Sequence, residues 1–168
     1  MPLTAAERED LIRRYEHGPA LLRAALEKVP REAHKWRPAD DKWSVHEIVC
    51  HCADSETNAA SRIRYLVAEK KPVIVGYDQD LWAKTFVYHA ANLYTALGVV
   101  EAVRAHTAEL LARLPGSAWL ATGTHTESGA YGADDWLKVY AEHLEKHSRQ
   151  IERNLRAWQA EETRPTRP

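Results

Sequence analysis

The chain has 168 residues, and its 23 Lys and Arg side chains against 24 Asp and Glu give a formal net charge of −1. This length suits one domain that buries roughly 70% of its unfolded surface, and the even spread of charge excludes the basic face expected of a nucleic-acid binder. No apolar run reaches the roughly 20 residues of a membrane span and no signal peptide opens the chain, so we expect a cytoplasmic protein without a membrane segment.

Two helix starts carry the pattern of a capping box. Thr4 with Glu7 predicts the start of the first helix, and Ser44 with Glu47 predicts the start of the second. Because proline lacks a backbone N–H and crowds the preceding turn, we expect a kink or a short break at Pro19.

Two further amphipathic helices follow. Asn92 is expected to cap the third, which stops at Pro115, and the fourth runs from about residue 134 through Trp158. Four such helices with two long connections predict an all-α fold, a four-helix bundle with long crossover connections. The domain is expected to span residues 1–160, and residues 161–168 are expected to form a disordered tail.

The two long connections are predicted to lack strands. Residues 72–75 resemble a short strand, but no other stretch of the sequence has the pattern of a partner strand, so we interpret them as extended loop followed by a helical turn at residues 80–84. Residues 117–132 are rich in Gly, Thr and Ser and are interpreted as a loop. Cys50 and Cys52 are too few and too close for a disulfide framework, and we interpret them as small buried residues.

The fourth helix places two histidines on its apolar face. At about 100° per residue one stripe contains Trp136, Tyr140, His143, His147, Ile151 and Leu155. Burying two imidazoles costs free energy unless their nitrogens find partners, and a divalent metal can serve both. The spacing alone also fits solvated or hydrogen-bonded core histidines.

His51 lies beside the apolar stripe of the second helix, with Asp54 one turn later. The aspartate is placed to accept the second ring N–H of His51 or to stand beside a metal; a boundary histidine with a solvated aspartate is the alternative. Within a bundle, His51 with His143 and His147 fits a three-histidine site for Zn²⁺, Ni²⁺ or Fe²⁺. Helix periodicity does not show that these residues lie at the same height.

Two blocks of sequence carry a family resemblance. Residues 43–56, WSVHEIVCHCADSE, resemble the W-S-x-x-E-I-x-x-H-x-x-D-x-E stretch of the DinB-like superfamily of metal-dependent enzymes, and residues 143–151, HLEKHSRQI, resemble its H-x-x-x-H-x-x-Q-I stretch. The resemblance extends over roughly residues 4–158. It implies a divalent transition metal, with Zn or Ni favoured over Fe or Mn, held by His51, His143 and His147, and frequently a homodimer.

Members of the superfamily similar to this chain include transferases that use low-molecular-weight thiols such as bacillithiol or mycothiol. Our first hypothesis is therefore a metal-dependent transfer of a small thiol to an electrophilic substrate, with Asp54 or Glu56 as the catalytic group that orients the incoming molecule or takes its proton. A hydrolase that uses metal-bound water and a non-catalytic metal-binding bundle are the alternatives. Of the remaining histidines, His125 is the best candidate for a role near the substrate.

Overall fold

Four long helices and one short helix form most of the computed structural model, which describes residues 2–163. They are α1 (Ala5–Glu27), α2 (Val45–Ala68), α3 (Gln79–Thr85), α4 (Leu93–Arg113) and α5 (Ala133–Glu162). α1 packs against α4 and α5, and α2 packs against the same two helices, so the predicted bundle is confirmed. No helix between residues 2 and 163 combines the length and the apolar character needed to span a bilayer.

The predicted helix starts are present. Both capping boxes form, with the Thr4 and Ser44 side chains each accepting from the backbone N–H three residues later. The Asn92 side chain accepts from two N–H groups at the start of α4. These bonds satisfy donors that have no partner inside the helix. α5 continues through Glu162, two residues beyond the expected domain end at residue 160, and residues 164–168 of the expected tail lie outside the described residues.

The short break considered at Pro19 is absent, since α1 is one continuous helix, and the alternative of a kink stays a prediction. Pro19 cannot donate to the carbonyl of Tyr15, but the Nη1 group of Arg104 in α4 donates to that oxygen at 2.6 Å. Gly18, the residue before the proline, leaves room for Arg104 to approach α1. A Cβ at Gly18 would lie 3.1 Å from Leu144 Cβ and 3.3 Å from Arg104 Nη1, so glycine permits the close approach of three helices.

The two long connections contain a small sheet that the sequence did not predict. Strand β1 (Val73–Ile74) pairs in parallel with β2 (Thr122–His125), and β2 pairs in antiparallel with β3 (Gly129–Gly132). The extended-loop interpretation of residues 72–75 and the loop interpretation of residues 117–132 are therefore wrong. A Cβ at Gly123 would lie 2.5 Å from the Pro72 carbonyl oxygen, so glycine permits this pairing. The sheet joins the two crossovers.

The interior of the described part of the chain contains two large apolar clusters with a polar layer between them, and a third, much smaller apolar cluster. One cluster contains Leu22, Ile48, Val100 and Leu144, and the other contains Tyr15, Ile63, Leu111 and Trp136. Between them lie the charged side chains of Glu56 and Arg104, both fully buried. Charged groups are almost never fully buried unless they are paired, so this layer marks the part of the core whose chemistry needs explanation.

Candidate metal centre

Three histidines from two helices converge at the polar layer. His51 on α2 and His143 and His147 on α5 each offer one donor nitrogen, and the three donors lie within 4.8 Å of one another. The Nε2 atoms of His51 and His143 are 3.4 Å apart. Nitrogens placed tetrahedrally around an ion at about 2.1 Å are held about 3.4 Å apart, so this spacing fits a shared metal ion.

The second nitrogens of the two α5 histidines are occupied. His143 Nδ1 donates to Glu56 Oε1 at 2.7 Å, and His147 Nδ1 donates to Gln150 Oε1 at 2.9 Å. Because these oxygens can only accept, the proton of each ring lies on Nδ1 and Nε2 carries the free lone pair. Fixing the tautomer in this way is how proteins orient histidine ligands.

His51 lacks such an oxygen partner. Its side chain is buried, and its Nδ1 has no hydrogen-bond partner within residues 2–163. Its Nε2 meets only the ring nitrogen of His143. A buried imidazole without a strong acceptor is costly, and a cation shared with the other two rings would compensate that cost. The donor set therefore fits a bound metal.

Two of the rings, those of His51 and His147, are held neutral near pH 7, which is the form that a metal ligand requires. Burial, followed by the charges of His147 and His143, lowers the pKa of His51 to about 2. Burial and the neighbouring His143 lower the pKa of His147 to about 4.

Glu56 also forms a buried ion pair with Arg104. The guanidinium donates to both carboxylate oxygens, at 2.6 and 2.7 Å, and a further N–H donates to the Tyr140 carbonyl at 2.7 Å. Burial by itself raises the pKa of Glu56, but Arg104 and the bond from His143 outweigh it and the pKa is lowered. A carboxylate of low pKa is a weak base, so these contacts favour holding His143 over the proton transfer that we predicted for Glu56.

Arg104 is not among the residues that the sequence predicted for the site. The buried face of α4 is Leu97, Val100, Arg104, Thr107 and Leu111. That spacing of three and four residues alternates as a helical stripe should, and it includes the arginine. The helical spacing therefore did place Arg104 on the buried face. Without knowledge of its partner, however, a charged residue in an apolar stripe is assigned to the edge of that face.

Asp54 has a different partner from the one predicted. Its Oδ2 accepts from the Tyr88 hydroxyl at 2.6 Å, and it does not accept the second ring N–H of His51. The indole ring of Trp43 instead packs against His51, with ring centroids 4.7 Å apart. Asp54 thus makes no hydrogen bond to the three histidines, and its predicted catalytic role remains a prediction.

His125 has its contacts outside the cluster. His125 is in β2, where its Nδ1 accepts from the Glu127 N–H and its ring contacts Tyr131. Both cysteines are buried and unpaired, as predicted. Gln150 on α5 contacts His147 directly.

Comparison with known proteins identifies the family. A protein of Oceanobacillus iheyensis, provisionally named a metal-dependent hydrolase, is 29% identical over 136 residues, which are 81% of this chain and 78% of the relative. A provisionally named metal-dependent hydrolase of Bacillus licheniformis is 28% identical over 152 residues, covering 87% and 85% of the two chains.

A solved structure has the same fold. YfiT from Bacillus subtilis, described provisionally as a metal-dependent hydrolase with an unusual four-helix bundle topology, superposes with a TM-score of 0.86 at 22% identity, over 94% of this chain and 90% of YfiT. The family model described as the DinB superfamily matches residues 14–151. The match spans both blocks that carry the resemblance, and the chain belongs to the DinB superfamily.

Proposed function

We propose that His51, His143 and His147 bind one divalent transition metal, Zn or Ni in preference to Fe or Mn, and that the protein is an enzyme that uses it. The observation that carries this proposal is the convergence of three imidazole donors within 4.8 Å. Three histidines leave one position of a tetrahedral ion open, which is the arrangement of catalytic rather than structural zinc. An ion in such a site stabilises a thiolate or a hydroxide at neutral pH.

Transfer of a low-molecular-weight thiol to an electrophile is the reaction that we propose first. A thiol has an unperturbed pKa of about 8.5, so a metal deprotonates it readily and no strong general base is needed. The two predicted acidic residues are both engaged, Glu56 by Arg104 and His143, and Asp54 by Tyr88. A thiol nucleophile, which needs no general base, is therefore compatible with a site whose carboxylates already have partners.

Hydrolysis by metal-bound water is the second candidate, and the names of the relatives from Oceanobacillus and Bacillus favour it. In this reaction Asp54 would hold the water or take its proton. We also propose the homodimer that the sequence resemblance implies, which the solution mass of the protein tests.

Elemental analysis of protein purified without an affinity tag tests the metal site. We expect about one equivalent of transition metal in the wild type and its loss in His51→Ala and in His143→Ala. His106→Ala is the matched control, because His106 is exposed on α4. A wild type that stays metal-free after reloading, or variants that keep their metal, would refute the site.

Kinetics of the metal-loaded protein then separate the two reactions. Thiol transfer predicts faster consumption of a model electrophile in the presence of a small thiol, relative to His147→Ala. Hydrolysis predicts turnover of esters or amides without added thiol. Metal bound in a closed shell of four protein ligands, without either activity, would favour the non-catalytic bundle.

A further inference from the structure

A cationic side chain lies on the same helix face as His51. The face of α2 that carries His51 continues through Ser55 and Ala59 to Arg62, at helical spacings of three and four residues. Arg62 is half-buried, with Nη1 donating to the Tyr140 hydroxyl at 3.0 Å and Nη2 donating to the Val75 carbonyl at 2.5 Å. None of the ion pairs among residues 2–163 includes Arg62.

Two tyrosines connect this guanidinium with the histidine cluster. The ring of Tyr140 lies 5.7 Å from that of His143, and its hydroxyl accepts from Arg62. The guanidinium carbon of Arg62 lies 5.6 Å from the centre of the Tyr77 ring. The Tyr77 hydroxyl is buried and has no hydrogen-bond partner in the described part of the chain. An unpaired cation and an unpaired hydroxyl donor thus lie together at the end of a polar row that starts at His143.

Both groups can donate, and neither pairs with a carboxylate between residues 2 and 163. A carboxylate accepts from a guanidinium and from a hydroxyl at once, and such charge-assisted bonds are about twice as strong as neutral ones. His51 and Arg62 are about 16 Å apart along the axis of α2. Long side chains on a helix point back toward its N-terminus, which brings the guanidinium within about 10 Å of the level of His51.

We propose that Arg62 and Tyr77 bind a carboxylate of the substrate, and that the thiol used at the metal centre is therefore an acidic one with its carboxylate within about 10 Å of the sulfur. This inference rests on the thiol chemistry of the proposed function. In this proposal Arg62 determines specificity by binding the carboxylate of the thiol substrate, which does not take part in the reaction.

Cobalt-loaded protein tests the proposal through the absorption that a thiolate produces when it binds Co²⁺. Glutathione is titrated against its diethyl ester, which has the same thiol and no carboxylate. We expect glutathione to bind about tenfold or more tightly than the ester, as a charged hydrogen bond warrants. Arg62→Gln should bring the ratio close to one.

Two further variants test whether the effect is specific to Arg62 and whether Tyr77 contributes to binding. Arg64→Gln removes the same charge from the same helix, but Arg64 donates to Ala60 and Thr107 on the side that faces α4, so the preference for glutathione should persist. Tyr77→Phe removes a hydroxyl without a protein partner, so it should weaken glutathione binding severalfold and leave the thermal unfolding temperature unchanged.

The outcomes distinguish the inference from the proposed function. Equal binding of the two thiols by the wild type, or a preference that survives Arg62→Gln, overturns the carboxylate site while thiol binding itself stands. If neither thiol changes the cobalt spectrum, the proposed thiol chemistry is wrong and the carboxylate site falls with it.

Discussion

Replacing Arg104 by methionine is expected to destabilise the protein strongly. Arg104 and Glu56 are both fully buried, so the substitution leaves a buried carboxylate without its cation. Breaking a buried pair in this way costs about 3–5 kcal/mol. The Tyr15 carbonyl, which Pro19 cannot serve, also loses its donor, at a further cost of about 1–3 kcal/mol. We therefore expect a loss of at least about 3 kcal/mol, a large fraction of the total stability of a domain.

Urea unfolding of metal-free protein measures this loss. Arg8→Met is a matched control, since Arg8 pairs with Asp134 at 2.7 Å but both side chains keep some exposure, 15% and 11%. Water can solvate the remaining carboxylate there, and we expect a loss of about 1 kcal/mol. The double variant Glu56→Gln with Arg104→Met leaves no buried charge and should recover most of the loss. An Arg104→Met cost below about 1 kcal/mol, or no recovery in the double variant, would refute the reasoning.

Two further predictions concern the metal and acid. Glu56→Gln should weaken metal binding about 10- to 100-fold, as measured by competition with a chelator, because the charge that raises the basicity of His143 is lost; Glu47→Gln, in the ion pair with Arg37, is the control that should bind normally. In metal-free protein the free energy of unfolding should fall as the pH drops below about 6.5. In the folded state the pKa of His147 is about 4 and that of His51 is about 2, so over this range the unfolded chain binds protons that the folded chain does not. This stability is fully present above the unfolded pKa, so urea midpoints that stay constant between pH 7 and 5 would contradict it.

Local sequence signals predicted the long helices well. Capping boxes at Thr4 and Ser44 and the stripe around His143 depend on neighbours within a few residues, and the structure has each of them. The meeting of His51 with the α5 histidines is a different matter. It depends on how far α2 slides along α5, which periodicity does not determine, and only the resemblance of residues 43–56 and 143–151 to a family predicted it.

The sheet escaped prediction because its pairing is not local. β1 has only two residues, and its partner Thr124 lies about fifty residues after Val73, in a stretch of Gly and Thr without alternating apolar residues. Short strands have little pattern of their own. Their existence depends on both crossovers arriving at the same end of the bundle, so that the backbone groups of residues 122–125 meet those of residues 73–74.

Pro19 inside a helix and Arg104 in the core are each unfavourable when considered alone, but the hydrogen-bond acceptor that Pro19 leaves free is used by a donor of Arg104. A proline inside a helix leaves the carbonyl four residues earlier without a donor, and a buried arginine has donors to satisfy. In this bundle the Nη1 group of Arg104 serves the Tyr15 carbonyl. Rules that score each residue separately therefore predicted a kink or a short break at Pro19 and overlooked the arginine.

This interdependence has a measurable consequence. Pro19→Ala restores an N–H that can donate to Tyr15, so it should stabilise the Arg104→Met variant by about 1 kcal/mol more than it stabilises the wild type. Urea unfolding of the two single variants and the double variant gives this coupling energy directly. Strictly additive effects would mean that the bond from Arg104 to the Tyr15 carbonyl contributes nothing, and that α1 tolerates Pro19 for another reason.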